Sequence, residues 1–189
     1  MNNLQQNDLD MKLILDNIKQ GDKQSYSVVI HRFQRKIYLY CYYLLKNQEE
    51  AEDATQDIFI KALDHINSFT YTNSLSSWLY KIAKNHCTDL IKKRNKEYES
   101  LKKYQVNKQQ EQEHTYSEFI DECLDKLNLE ERQILLLRSL EEYSYDEMAF
   151  IMGLKPATLR KKYERIHKKL IHEKKLGGKK HEESYRFGS

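Results

Sequence analysis

The chain has 189 residues, of which 39% are hydrophobic and 32% charged, with a formal net charge of +3. That length holds one medium domain or two small ones, and no apolar run approaches the roughly eighteen residues of a membrane span, so no direct membrane insertion is expected. The amino terminus lacks the basic-then-apolar pattern of a secretion signal. Cys41, Cys87 and Cys123 form no CxxC pair, which argues against a zinc site or disulfide framework and for buried thiols in a reducing cytoplasm.

A single proline and five glycines leave too few turn residues for a strand-rich protein, while helical periodicity runs through almost the whole chain. The expected fold is all-α: a helical bundle over residues 1–94 and a helix-turn-helix domain over 118–171. A flexible linker over 95–117 would join them, and 172–189 would form a disordered tail.

Leu9 to Lys19 reads as a short first helix stopped by Gly21. Asp22 would cap a second helix to about Lys46, burying Tyr26, Val29, Ile30, Phe33, Ile37, Tyr40, Cys41 and Leu44. A third opens at Asn47, with Glu50 placed for a capping box and Ala51, Ala54, Ile58, Ala62 and Ile66 as its buried stripe. Asp53, Gln56, Asp57 and Ile60 fall at i, i+3, i+4 and i+7, so they share another face, acidic with an apolar residue set in it. The loop Asn67 to Ser74 carries Phe69 and Tyr71. A fourth helix then has Leu75, Leu79, Ile82, His86 and Leu90 at buried spacing, with Lys81, Lys84, Asn85, Thr88 and Lys92 on a basic opposite face.

Residues 95–117 are rich in Lys, Glu and Gln, with Leu101 and Val106 as the aliphatics, too little apolar surface to offset chain entropy, and an ordinary exposed helix is the alternative to a linker. Fully extended, that segment reaches roughly 80 Å, on the order of 20 base pairs of duplex. Beyond it Phe119, Ile120, Cys123, Leu124 and Leu127 suggest one short helix. Asn128 with Glu131, and Ser144 with Glu147, form capping boxes for the next two. Gly153 supplies a tight turn and Pro156 stands in the first turn of a last helix. There Leu159, Tyr163, Ile166 and Leu170 make a packing stripe. Thr158, Lys161, Lys162, Arg165 and Lys169 take the other side, with Arg160 on a flank. A helix that reads DNA needs this division, apolar residues holding it while cations and a hydroxyl face phosphates and base edges.

With these motifs in place, the chain resembles the bacterial extracytoplasmic-function sigma factors of RNA polymerase over about Asp22 to Arg94 and Leu124 to Leu170. EEAEDATQDIFIKAL looks like the polymerase-binding helix of the family's second region, with its D-x-x-Q-D/E-x-F pattern at Asp53, Gln56, Asp57 and Phe59. SSWLYKIAKNHCTDLIKKR is similar to the promoter-melting and −10-reading helix at Trp78, Leu79, Tyr80, Ile82, Ala83, Asn85 and Asp89. SYDEMAFIMGLKPATLRKKYERIHKKL looks like the fourth-region helix-turn-helix that reads the −35 element, departing from the usual pattern at Lys161 and Tyr163.

The resemblance implies core RNA polymerase, promoter DNA and an anti-sigma factor as partners, and a cytoplasmic place of action. Asp53, Gln56, Asp57, Phe59 and Ile60 would dock on the polymerase. Phe69, Tyr71 and Trp78, with Lys81, Lys84, Asn85, Thr88, Lys92, Lys93 and Arg94, would capture a base and hold the −10 DNA. Thr158, Arg160, Lys161, Lys162, Arg165 and Lys169 would read the −35 element. Packing is the competing reading for Trp78 and Phe59, and partial burial rather than metal binding suits His31 and His86.

No Walker loop, metal cluster or nucleophile constellation stands in the sequence, so neither a cofactor nor an enzymatic activity is expected, and any melting would be driven by binding. Two other classes compete. A stand-alone helix-turn-helix regulator explains Leu124 to Leu170 but leaves the acidic face without a role, and a helical adaptor binds no nucleic acid.

Overall fold

The computed structural model describes residues 3–102 and 118–186. Among these residues there is no strand, and the chain divides into two compact units, Met1–Gln112 and Glu113–Ser189. The fold is all-α. No helix among the described residues is long and apolar enough to cross a membrane.

The first unit contains α1 (Asn3–Lys19), α2 (Tyr26–Leu45), α3 (Gln48–Asp64), a 3₁₀ turn (Ile66–Ser68) and α4 (Leu75–Lys102). α2, α3 and α4 pack on one another, and α1 lies against α2 and the 3₁₀ turn. The seam is built from small residues facing large ones. Ala51, Ala54, Ala62 and Ala83 are fully buried and let the helix axes approach, while Val29, Ile37, Leu44, Ile58, Leu79 and Tyr80 fill the space between. Each fully buried large aliphatic side chain contributes about 1.5–3 kcal/mol.

Several expectations shift here. α1 begins at Asn3, earlier than the Leu9 start read from apolar spacing, and Gly21 (φ +104) does turn the chain after it. Asp22 does not cap α2 itself. Its carboxylate accepts from the N–H of Gln24 and the hydroxyl of Ser25, ordering a lead-in turn of i→i−3 bonds before the helix starts at Tyr26. That hydroxyl bond holds the carboxyl below its ordinary range, opposed by desolvation and helped by the N–H groups of Ser25 and Gln24. The Asn47 cap forms, accepting from the Glu50 N–H at 2.8 Å, but its reciprocal half does not: Glu50 pairs with Arg94 at 3.2 Å.

On α4 the buried line runs through Leu79, Tyr80, Ala83, His86 and Cys87, leaving Ile82 and Leu90 half-buried. Cys87 faces Cys41 of α2 with the sulfurs 3.6 Å apart, so two thiols remote in sequence meet as free cysteines inside the core. Ile30 is half-buried rather than core. α4 is helical to Lys102, eight residues past Arg94, because nothing after Arg94 breaks a helix and propagation adds a bond for each residue ordered. The remainder of the expected linker, residues 103–117, lies outside the described residues.

The second unit contains α5 (Glu118–Asp125), α6 (Leu129–Ser139), α7 (Tyr145–Met152) and α8 (Pro156–Arg186), with α8 packed on α6 and α7. Both capping boxes form in full: Asn128 with Glu131, and Ser144 with Glu147. Gly153 closes α7 in the left-handed region at φ 69 and Pro156 opens α8. Leu124, Ile134, Leu137, Met148, Ile151, Leu159 and Ile166 form the core; Leu136 joins them, and Leu140 is left in solvent. The tail expected to be disordered continues α8 to Arg186, through Gly177 and Gly178, although each glycine costs a helix interior about 1 kcal/mol. Propagation from the packed first half of α8 carries the helix through them.

Candidate functional site

α3 presents the first face. Its cap and buried alanine stripe set its roll, so Asp53, Gln56, Asp57 and Ile60 all point outward. Ile60 is 58% exposed, a large aliphatic held in water within an acidic patch. Beside it a groove of about 370 Å³ between α2 and α3 is lined by Tyr26, Ile30, Gln34, Thr55, Gln56, Phe59, Ile60 and Leu63. Phe59, for which docking and packing were both open, is buried. Its ring meets Tyr26 edge-on at 6.5 Å, and the Tyr26 hydroxyl donates to its carbonyl at 2.7 Å. Burial, reinforced by the charge of Asp64, raises the Tyr26 phenol well above its ordinary range and keeps it a donor.

Behind this face α3 and α4 share a polar contact. Lys61 Nζ donates to His86 Nδ1 at 2.6 Å, so the ring proton is assigned to Nε2, which faces Asp57 at 3.5 Å. Burial first, then the charge of Lys61, lowers the His86 pKa; Asp57 and Asp89 oppose this without reversing it.

The second face comprises the 69–74 loop and α4. Ser74 accepts from the N–H of Ser77 at 3.1 Å and starts α4, a cap the sequence reading did not name. Phe69, expected to meet DNA, turns inward. It is 4% exposed, with Tyr71 and Trp78 each edge-on at 5.4 Å. An aromatic between two others on a short loop gains more from burial than from display. Trp78 is half-buried on that cluster, and Tyr71 alone of the three is exposed. A cleft of about 680 Å³ opens beside Tyr71, lined by Lys12, Arg32, Phe33, Lys36, Thr72, Asn73 and Ser76 among others. Lys12 of α1 was not singled out from sequence, because the Tyr71 ring it faces lies 59 residues away.

Along α4, Asn85, Lys92 and Lys93 are exposed and Lys81, Lys84 and Thr88 half-exposed. Thr88 spends its hydroxyl proton on the Lys84 carbonyl at 2.6 Å, and Lys84 Nζ donates to Asn85 Oδ1 at 3.2 Å. Arg94 has a structural partner set: Nη1 donates to the Leu45 carbonyl at 3.1 Å and to Glu50 at 3.2 Å, bracing α4 against the α2–α3 corner. That carbonyl belongs to the last turn of α2, where helix carbonyls lack internal partners.

α8 forms the third face. Leu159 and Ile166 anchor it, while Thr158, Arg160, Lys161 and Arg165 are exposed, joined by Lys155 and Lys168, which the sequence reading passed over. Arg160 lies over the Tyr145 ring at 5.4 Å, with Arg138 also 5.1 Å from it. Lys162 and Lys169 turn toward α6 instead. Lys162 pairs with Glu130 at 2.6 Å, and Lys169 with Glu131 at 3.1 Å. Burial works against ionising Glu131, yet the Asn128 N–H and the Lys169 ammonium hold its carboxyl below the ordinary range. In the first turn of α8 the Lys155 carbonyl accepts from the N–H groups of Thr158 and Leu159.

Known proteins resemble both units. Residues 29–97 match the family model for Sigma-70 region 2 and residues 118–170 that for Sigma-70, region 4, together about two thirds of the chain. The ECF RNA polymerase sigma factor SigW of Bacillus subtilis is 38% identical over 88 residues, which span 47% of each chain. The ECF RNA polymerase sigma factor EcfG of Rhodopseudomonas palustris is 30% identical over 128 residues, covering 66% of this chain and 71% of its own. In fold, the sigma factor RpoE of Bartonella quintana, solved with the anti-sigma factor NepR, superposes with a TM-score of 0.66 at 20% identity, over 78% of this chain and 94% of that one.

Proposed function

Because the chain belongs to the extracytoplasmic-function sigma factors of bacterial RNA polymerase, we propose a specific division of labour among its three faces. As a sigma factor it directs promoter-specific transcription initiation and is not an enzyme. α3 docks on core polymerase: Ile60 enters an apolar site on the partner while Asp53, Gln56 and Asp57 meet its cations. Phe59 contributes from beneath, as a wall of the adjoining groove. The 69–74 loop captures an unstacked base of the −10 element with Tyr71. Lys81, Lys84, Asn85, Thr88, Lys92 and Lys93 hold the strand and its upstream duplex. Phe69 and Trp78 support that loop, and Arg94 fixes α4.

α8 reads the −35 element with Thr158, Arg160, Lys161 and Arg165, assisted by Lys155 and Lys168. Lys162 and Lys169 orient the helix through their α6 partners. The unit that binds polymerase and the −10 element ends near residue 94, and the −35-reading unit begins near residue 118.

One observation carries it: an exposed isoleucine ringed by acidic and amide side chains stands on the helix next to the basic face of α4. A stand-alone regulator gives Ile60 no role. The energetics agree. Single DNA-reading modules bury only about 600–1,000 Å² and bind weakly alone. A rigid third body must set their spacing, and polymerase supplies it. Unstacking costs a few kcal/mol per step, which binding energy offsets without ATP. The place of action is the cytoplasm, and an anti-sigma protein is the expected antagonist.

Mixing the purified chain with core polymerase on a promoter found by start-site mapping tests this. A stable complex, permanganate-reactive thymines near −10 and specific transcripts are expected. Absence of the complex overturns the reading.

A further inference from the structure

Helix α1 carries none of the residues assigned above, yet it grips the loop that does. Tyr71 is 45% exposed, a setting in which a loop aromatic ordinarily samples several rotamers. Here its hydroxyl donates to Asp16 Oδ1 at 2.6 Å and lies 3.4 Å from the Lys12 carbonyl. The Lys19 ammonium stands 4.9 Å from the centre of its ring and that of Lys12 5.4 Å. Lys19 also donates to the carbonyl of Phe69 at 2.8 Å, reaching the backbone two residues before Tyr71. Lys12, Asp16 and Lys19 are spaced i, i+4 and i+7, so one stripe of α1 holds both the ring and the main chain of the loop.

Fold stability explains this poorly. Ordering an exposed aromatic side chain and its loop costs rotamer and backbone entropy, and contacts made at the surface return little of it. The arrangement makes sense where a loop must already have its bound shape when a ligand arrives, so that the ordering cost does not fall on binding. Tyr71 and Lys12 line the 680 Å³ cleft together with Arg32 and Lys36 of α2. Burial, with the hydrogen bond and charge of Asp16, pushes the phenol up to about 12, so it remains a donor to that carboxylate.

Resting on the initiation-factor reading, we propose that Asp16, with Lys12 and Lys19, is a positioning residue for base capture: it holds Tyr71 and the 69–74 loop in the capture shape before DNA is engaged. α1 thereby takes part in promoter opening without touching the captured base through Asp16.

The test uses the full chain with core polymerase on two templates, the intact promoter duplex and the same promoter pre-opened by mismatches at the upstream edge of the −10 element. Asp16→Ala and Tyr71→Phe should each open the duplex on the order of tenfold less well, what one hydrogen bond to a charged group is worth. The deficit should shrink on the pre-opened template, where unstacking is already supplied. Asp16→Asn keeps an acceptor oxygen and should recover much of the loss. Thermal unfolding and polymerase affinity of the variants should match wild type. Equal deficits on both templates, or Asp16→Ala indistinguishable from wild type, overturn the proposal. A wild-type chain inert on both templates overturns the initiation-factor reading itself.

Discussion

Lys61 of α3 donates to the buried Nδ1 of His86 on α4 at 2.6 Å, tying the helix that carries the docking face to the helix that carries the basic face through a neutral imidazole. A cation donating to this ring cannot coexist with a protonated one, because both would then be donors.

That contact sets a pH dependence. The folded pKa of His86 lies below the ordinary 6.5, first because burial penalises the charged ring and then because Lys61 repels it, with Asp57 and Asp89 opposing. The unfolded chain therefore binds more protons as pH falls below 6.5, so stability is fully present above that value and declines from there toward the folded pKa. Urea unfolding from about pH 7.5 down to pH 5.5 should show this decline in wild type and a flatter profile in His86→Gln.

Charge reversal on the docking face should separate binding from folding. Asp53→Arg and Ile60→Asp alter exposed side chains, so unfolding free energies should stay within about 0.5 kcal/mol of wild type. Affinity for core polymerase, titrated with labelled protein, should fall at least about tenfold, roughly 1.4 kcal/mol. Unchanged affinity would remove α3 as the docking element.

The cations of α8 should split into two groups. Arg165→Ala should weaken recognition of the −35 element by about 1–3 kcal/mol. Lys162→Ala and Lys169→Ala break pairs with Glu130 and Glu131 at the surface, and each should cost under about 1 kcal/mol of stability with promoter choice retained. Binding assays with −35 variants, run beside thermal melts, decide between these outcomes.

Helix ends in the second unit offer a stability check. Asn128→Ala and Ser144→Ala each remove a complete capping box and should cost about 1 kcal/mol. Gly153→Ala meets no atom within 4 Å of the added methyl, yet φ is +69. The penalty is conformational, about 1–2 kcal/mol. Calorimetry of the wild type and the three variants should show lowered melting temperatures for all three.

The helix ends of the second unit were legible in the sequence because their bonds close within three or four residues. Asn128 with Glu131, Ser144 with Glu147, Gly153 and Pro156 carry their own geometry. The faces of α3 and α4 followed from helical spacing, and the ordered motifs sufficed to identify the family. Spacing assigns a residue to a face but does not say what stands across from it. The diversion of Glu50 to Arg94, the pairing of Lys162 and Lys169 with α6, and the hold of Asp16 on Tyr71 all depend on partners some 30 to 60 residues away, and the inward turn of Phe69 depends on Trp78 across the loop. Such contacts are chosen by how the helices pack, since a long polar side chain takes whichever opposite charge or open carbonyl the assembled surface brings within reach.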